Sequence, residues 1–175
     1  MKKLLCLASL VALSAASSFA GDSCKSFKEA IVAPEGKFRD VEFQVDGFYA
    51  QMFGPGTSGN VVNTGPGGGF GGNVIFAKYF GAGVENLWYS NDGRGDYLLT
   101  GKAIARYPIE SLSLAPYAVV GGGAGFGRGS YGFGLLGAGL EYRLTRNIGS
   151  FVEGKWLFGA PNAAALLTTG VRFIF

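Results

Sequence analysis

The sequence predicts an all-β fold, an eight-stranded antiparallel up-and-down transmembrane β-barrel. One observation is a series of segments of about ten residues whose side chains alternate with a period of two; another is that aromatic residues gather near segment ends on the apolar face. Glycine, proline, asparagine and aspartate separate the segments, as turns separate strands. The predicted strands span residues 41–53, 69–80, 83–91, 96–107, 112–126, 131–145, 147–158 and 164–175.

The start of the chain has the three parts of a secretory signal peptide. Two lysines precede an apolar run from Leu4 to Leu13, and small residues lead up to Ala20. The run is too short for a membrane-spanning helix, which needs about 20 apolar residues. We therefore expect residues 1–20 to be removed, residues 21–40 to form a flexible or short helical periplasmic segment, and residues 41–175 to form the barrel.

Composition limits the possible partners and chemistry. The 15 basic residues include two in the leader and the 12 acidic residues all follow it, so the exported part is nearly neutral and no nucleic-acid partner is expected. The chain has 0 histidines, which excludes Ser-His-Asp catalysis and the commonest metal ligand. Glu141 and Glu153 could act as a general acid and base, but structural ion pairs are the more frequent use of such residues. We predict no enzymatic activity, no metal and no cofactor.

The alternation separates charges from apolar side chains. Glu141 and Arg143 share one face of their segment, Glu153 and Lys155 share one face of the next, and apolar residues occupy the opposite faces. A membrane barrel encloses its polar face, whereas a soluble barrel exposes it, and periodicity alone does not separate the two. Paired charges diluted by glycine favour an enclosed lumen. The predicted lumen network comprises Glu42, Asp46, Lys102, Arg106, Glu141, Arg143, Glu153, Lys155 and Arg172.

Aromatic positions and connection lengths favour the membrane and predict an orientation. The apolar faces carry aromatic residues near strand ends, where membrane barrels have their aromatic girdles: Tyr107, Tyr142, Trp156, Phe158, Phe173 and Phe175. The connections are predicted to alternate between longer ones (54–68, 91–95, 127–130, 159–162) and tight ones (80–82, 108–111, 145–147). Membrane barrels have short periplasmic turns, so both termini are predicted to lie in the periplasm.

Several stretches resemble a known family. The run from Gly137 to Ile148, followed by residues 151–156, resembles the penultimate hairpin of small OmpA-like and opacity-type outer-membrane barrels, and residues 116–123 resemble their fifth strand. Val171, Phe173 and Phe175 resemble the carboxy-terminal assembly signal of such barrels. The chain ends at the barrel, so we expect no peptidoglycan-binding domain.

The resemblance implies an outer-membrane location and a set of partners. These are outer-membrane lipids and lipopolysaccharide, the barrel assembly machinery and periplasmic chaperones. We expect a monomer.

Three local features have competing interpretations. Arg94-Gly95-Asp96 matches the integrin-recognition tripeptide, so it is either a surface-binding motif of an adhesin or part of a hairpin turn. The glycine-rich stretches 65–72 and 121–127 lack the helix that a phosphate-binding loop needs, and glycine relieves crowding in a small barrel. Cys24 is either a free cysteine or a lipid-anchored one.

Three functions remain open. An eight-stranded barrel is just wide enough for its own side chains, which favours a non-enzymatic envelope or surface-interaction protein whose lumen is closed by charge pairs. The same pairs could instead gate a narrow ion pore. A soluble periplasmic barrel that binds an apolar ligand is the third possibility, and it requires an apolar lining.

Overall fold

In a computed structural model that describes residues 36–55, 61–91, 94–127, 130–159 and 163–175, the chain forms a closed eight-stranded antiparallel barrel. Each strand pairs with the next, and β8 pairs with β1. The predicted fold class is confirmed. The strands are β1 (Glu42–Pro55), β2 (Val61–Phe76), β3 (Phe80–Asn91), β4 (Arg94–Arg106), β5 (Leu114–Phe126), β6 (Ser130–Arg143), β7 (Ile148–Phe158) and β8 (Ala164–Ile174). A 3₁₀ turn, Glu110–Leu112, precedes β5, and no helix in the described ranges is long and apolar enough to cross a membrane.

The largest difference from the sequence prediction lies between β1 and β2. The predicted loop at 54–68 is wrong because β2 already begins at Val61, where it pairs with Pro55. The register shifts after Met52, and Gly65 adopts φ 122, a backbone conformation that glycine tolerates best. Glycine and proline therefore mark an irregularity within a long hairpin at a position where they suggested a loop.

The turn between β2 and β3 is also displaced from its predicted position at 80–82. The interval between these strands is 77–79, and Ala77 and Lys78 have positive φ angles of 50 and 68 although neither is glycine. Neighbouring segments hold this turn: the Lys78 N–H donates to the Asp40 carbonyl oxygen at 3.0 Å, and Arg106 Nε donates to the Lys78 carbonyl oxygen at 2.9 Å. Such contacts between distant parts of the chain leave no local sequence signal.

The predicted alternation of long and tight connections is wrong as well. We call the end where β1 begins and β8 ends the terminal end, and the opposite end the far end. The intervals between strands are 77–79, 107–113 and 144–147 at the terminal end, and 56–60, 92–93, 127–129 and 159–163 at the far end. The longest interval, 107–113, lies at the terminal end, so length does not distinguish the two ends.

Outward-facing side chains form a surface suited to lipid. Among strand positions whose side chains are described, no outward-facing residue is charged. Outward-facing aromatic rings form one row near each end, and aliphatic and small residues lie between the rows. The terminal-end row contains Phe43, Phe76, Phe80, Tyr107, Tyr142, Phe173 and Phe175, and the far-end row contains Tyr49, Phe70, Trp88, Tyr97, Phe126, Trp156 and Phe158. In the far-end row, successive ring centroids from Phe70 to Phe126 lie 5.4, 5.6 and 5.9 Å apart.

The glycine-rich stretches lie within β2 and β5, apart from Gly127, and relieve crowding. Inward-facing glycines of β2 and β5 lie opposite large side chains. A Cβ added to Gly69 would lie 2.8 Å from Cζ of Phe48 and 2.0 Å from the Asn86 carbonyl oxygen. One added to Gly123 would lie 2.0 Å from the Leu99 carbonyl oxygen. A side chain at either point would therefore force the neighbouring strand to shift.

Candidate functional site

The inside of the barrel is divided along its axis into two halves of different chemistry. Nearer the far end, the apolar half consists of Ala50, Met52, Leu87, Tyr89, Leu98, Phe133, Leu135, Leu157 and Leu166. Nearer the terminal end, the charged half contains ten ionisable side chains: Glu42, Asp46, Glu85, Lys102, Arg106, Glu141, Arg143, Glu153, Lys155 and Arg172. All ten are buried, and the most exposed of them, Lys102 and Lys155, are 5% exposed.

Six of these residues form what we call the arginine cluster, which comprises Glu42, Asp46, Arg106, Glu141, Arg143 and Arg172. Arg172 donates two parallel hydrogen bonds of 2.7 Å to Asp46, and its third nitrogen donates to Glu141 at 2.6 Å. Forked guanidinium–carboxylate pairs are among the strongest hydrogen bonds that side chains form. Because these residues come from β1, β6 and β8, the pairs connect strands across the closure of the barrel.

The other arginines of this cluster converge on one carboxylate. Arg106 Nη1 and Arg143 Nη2 both donate to Glu42 Oε2, at 2.8 and 2.6 Å, and Arg143 Nε donates to Glu141. Two amides add to the network: Gln44 donates to Glu42 at 2.8 Å, and Asn73 donates to Asp46 at 2.7 Å. Glu42 therefore links β1 to β4 and β6 across the lumen.

The remaining four charges form the lysine cluster, Glu85, Lys102, Glu153 and Lys155. Both lysine ammonium groups donate to Glu85, one to each carboxylate oxygen. Glu153 lies 2.7 Å from Nζ of Lys155 and 3.6 Å from Nζ of Lys102. Each cluster contains equal numbers of acids and bases, which is the condition under which buried charges can persist without a net buried charge.

A short irregular segment covers the charged half at the terminal end. We call residues 36–40 the strap. Phe38, which is 3% exposed, places its ring beneath two guanidinium groups, with centroid distances of 5.2 Å to Arg106 and 4.7 Å to Arg143. Distances of this size allow cation–π attraction. The strap lies in the range predicted as a flexible or helical segment, and residues 21–35 of that range lie outside the described residues.

Packed side chains occupy the apolar half. Leu98 and Leu135 are 2% and 1% exposed, and Tyr89 and Tyr131 place their hydroxyl oxygens 3.4 Å apart. A cavity of about 10 Å³ lies between the halves, with Glu85, Thr100 and Lys155 on one side and Leu98 and Phe133 on the other. That volume admits about one water molecule. Between the two halves, therefore, the lumen offers no space for a larger ligand.

Each predicted lumen residue can now be located. The structure places all nine inside the barrel, and the sequence analysis missed Glu85, the acceptor shared by both lysines. The sequence did contain a signal for Glu85, because it lies on the face opposite the apolar Val84 and Trp88. Asn86 shares the face of Val84 and Trp88, however, and this polar residue weakens the difference in polarity between the two faces. Phe38 was also missed, since it precedes the first alternating segment.

The tripeptide Arg94-Gly95-Asp96 lies in β4, not in a loop. Asp96 faces inward and is partly buried, and its carboxylate oxygen occupies the space beside Gly127 that a Cβ would need. Its position also brings it within interaction distance of the Tyr89 hydroxyl. The geometry thus directs the aspartate of the tripeptide away from an external partner.

The predicted assembly-signal residues share the outward face of the last strand. Val171, Phe173 and Phe175 are all exposed. Phe175 exchanges backbone hydrogen bonds of 2.9 and 3.3 Å with Phe43, which completes the pairing of β8 with β1. Within the described ranges, no group of three or more potential ligands is placed to hold a metal ion, and Cys24 and the leader lie outside those ranges.

Comparisons with known proteins identify the fold. No protein-family model and no curated protein matches the sequence. Among solved structures, the chain is similar to the N-terminal β-barrel domain of Pseudomonas aeruginosa OprF, with a TM-score of 0.64, 17% identity, and coverage of 77% of this chain and 97% of that one. It is also similar to Ail, the attachment invasion locus protein of Yersinia pestis, with a TM-score of 0.57, 15% identity, and coverage of 78% and 100%.

A third similar structure is the outer membrane protein OprG from Pseudomonas aeruginosa, with a TM-score of 0.50, 9% identity, and coverage of 80% and 98%. At these identities the likeness establishes the fold. The resemblance to small outer-membrane barrels, expected from the sequence, is confirmed at that level.

Proposed function

We propose that this chain is an integral outer-membrane β-barrel with a closed lumen, which acts without enzymatic activity in envelope structure or surface interaction. The observation that carries the proposal is the reversal of ordinary polarity: ten charges are buried inside, while outward-facing strand positions with described side chains carry none. A soluble barrel would gain nothing from exposing two rows of aromatic rings to water. In a bilayer these rows match the two interfacial girdles, and the apolar band between them contacts lipid tails.

We propose that the terminal end faces the periplasm. An exported chain arrives on that side, and in this orientation only the closed tips of hairpins have to cross the bilayer. The charged N-terminal residues, including Lys37, Arg39 and Asp40 of the strap, then stay in water. This orientation also leaves the final strand accessible to the periplasmic chaperones and the barrel assembly machinery that we expect as partners, with lipids and lipopolysaccharide around the barrel.

A closed lumen is favoured over an ion pore because the buried charges are blocked on both sides. The apolar half lies on their far-end side, and the ring of Phe38 lies on their terminal-end side. An ion that reached the arginine cluster would have to leave its water to pass the packed leucines, at high cost. A gated pore would therefore need the apolar half to rearrange as well as the ion pairs.

The remaining alternatives are less well supported by the geometry. A soluble ligand-binding barrel needs an apolar interior cavity, and the space between the halves is only about 10 Å³. Attachment, which the name of Ail states for that protein, would require a binding surface at the far end. In this chain the tripeptide that suggested one turns its aspartate inward.

A charge placed on the outer surface tests the membrane location. Leu136 lies midway along β6 and is 59% exposed, whereas Leu144 follows the same strand at the terminal rim and is 55% exposed. In a bilayer, Leu136→Lys should cost about 2–4 kcal/mol and Leu144→Lys about 0–1 kcal/mol, because the penalty depends on depth. The yield of heat-modifiable protein in the detergent-extracted membrane fraction measures both. Equal, full yields from the periplasmic soluble fraction would overturn the proposal.

Conductance in planar bilayers tests the closed lumen. The wild-type protein should insert without steady current. Large steady conductance would reject closure and favour the pore. Charge reversal at Arg143 or Lys155 adds a second comparison, because a pore gated by these pairs would change its current in those variants.

A further inference from the structure

We infer that the strap, residues 36–40, is a releasable lid that seals the charged half of the lumen from the terminal side, with Phe38 as its stopper. The apolar half is a seal of a different kind, since it is built from the barrel strands themselves. The lumen would then have one permanent seal and one that can open. Opening the strap would admit water and small ions as deep as the charges and no further.

The contacts of the strap place it directly across the opening. Its polar contacts reach several other parts of the barrel: the Lys37 N–H donates to Glu110 at 3.1 Å, Lys37 Nζ donates to the Arg143 carbonyl oxygen at 3.1 Å, and the Arg39 N–H donates to Glu42 at 2.8 Å. The Asp40 carbonyl oxygen accepts from the turn at Lys78 at 3.0 Å. The strap therefore spans from β1 to the turns that precede β3 and β5 and to the end of β6.

The arginine cluster does not depend on the strap for charge balance. Arg106 and Arg143 already donate to Glu42, and Arg143 also donates to Glu141. Phe38 adds attraction to the guanidinium groups but no compensating charge. Removing it would leave the ion pairs intact and would expose them to water, which stabilises ions. Lifting the lid is therefore compatible with a folded barrel.

Some of the strap lies open to water, although its Arg39 N–H reaches the buried Glu42. Gly36 and Asp40 are exposed, Lys37 is half-buried, and its acceptor Glu110 lies on the rim of the barrel. The strap has no strand pairing and is irregular throughout. Segments with few buried apolar contacts and exposed hydrogen bonds open at low free energy. Phe38 is the buried apolar anchor of the strap, so its ring should control how often the lid opens.

Thiol accessibility in the complete folded protein tests this inference. With Cys24→Ser as background, Gln44→Cys places a reporter in the charged half and Ala50→Cys places one in the apolar half. The probe is a small water-soluble methanethiosulfonate added to the detergent-solubilised protein. In the presence of Phe38, both reporters should react slowly.

Phe38→Ala should then accelerate labelling of the Gln44→Cys reporter by about tenfold or more, the change expected for the loss of two cation–π contacts. The Ala50→Cys reporter should stay slow, and Phe38→Trp should restore protection of the Gln44→Cys reporter. Phe43→Ala is the matched control, because this nearby aromatic residue faces outward and its loss should change neither rate. If the Gln44→Cys variant does not fold, Asn73→Cys, which lies opposite Gln44 in the pairing of β1 with β2, reports from the same level of the lumen.

Three outcomes would overturn the inference. Fast labelling of the Gln44→Cys reporter with Phe38 present would show that the terminal end is already open. Unchanged labelling after Phe38→Ala would show that the ring is no barrier. Parallel acceleration of the Ala50→Cys reporter would show that Phe38 supports the whole barrel and is not a lid.

Discussion

The two halves of the lumen fill the same eight-stranded barrel with opposite chemistry. In the charged half, each ionisable side chain has named partners, such as Glu85 with Lys102 and Lys155. In the apolar half, side chains such as Leu98 and Leu135 pack against their neighbours without specific polar partners. A charge that loses its partner is left unpaired at high cost, whereas a leucine that loses a neighbour leaves a cavity. The charged half therefore specifies which strands meet, and the apolar half excludes water.

Glu85→Gln should produce the largest effect on stability. It keeps the shape of the side chain but leaves Lys102 and Lys155 with Glu153 as their nearby acid. Breaking a buried ion pair by removing one partner costs about 3–5 kcal/mol. The free energy of unfolding can be measured by urea titration in lipid vesicles, with Trp88 and Trp156 as fluorescent reporters.

A second variant separates charge balance from packing. Adding Lys102→Gln to Glu85→Gln restores equal numbers of acids and bases in the lysine cluster, so part of the lost stability should return. A cost of Glu85→Gln below about 1 kcal/mol would place it in the range of exposed pairs and show that water reaches the lysine cluster.

In the apolar half, alanine substitution of two adjacent leucines compares the stability contributed by an inward-facing and an outward-facing side chain. Leu135 is 1% exposed and faces inward, and Leu136 is 59% exposed and faces outward. Leu135→Ala should cost about 2–5 kcal/mol, because it leaves a cavity in a packed interior. Leu136→Ala should cost less than half as much, since lipid tails can fill the space. Equal costs in the same vesicle titration would mean that Leu136 is also packed against protein.

How far the sequence predicts this molecule depends on the range over which each signal acts. Alternation is local, so eight strands and inward-facing pairs such as Glu141 with Arg143 are visible in the chain. The division of the lumen into halves is not visible locally, because the inward-facing Leu157 and Lys155 share one alternating face. Which layer each occupies depends on the stagger between strands, which is a property of the closed barrel.

Interactions between distant parts of the chain explain the other misses. Phe38 is buried by guanidinium groups from β4 and β6, far along the sequence. The turn at 77–79 likewise depends on Asp40 and Arg106. Glycine was a misleading marker of loops, because in a narrow barrel it also marks strand positions without room for a side chain.

Two glycines of the barrel wall allow the same comparison between inward-facing and outward-facing positions for steric crowding. A Cβ on Gly69 would lie 2.0 Å from the Asn86 carbonyl oxygen, whereas one on Gly154 would meet nothing within 4 Å. Gly69→Ala should cost about 1–3 kcal/mol, as overpacking of a filled interior does. Gly154→Ala should be neutral or slightly stabilising, because alanine loses less backbone entropy on folding. If both substitutions are neutral, β2 has freedom to move away from β3.

Breaking an ion pair on the rim of the barrel should have the smallest effect on stability, and it is the closest control for Glu85→Gln. Lys78 and Glu110 form an ion pair of 3.0 Å whose side chains are 29% and 40% exposed. Glu110→Gln makes the same chemical change as Glu85→Gln at a site that water reaches, so it should cost about 0–1 kcal/mol and less at high salt. The two variants can be compared in one titration series. A loss at Glu110 as large as that at Glu85 would show that burial does not set the strength of these pairs, and the contrast between rim and lumen would fail.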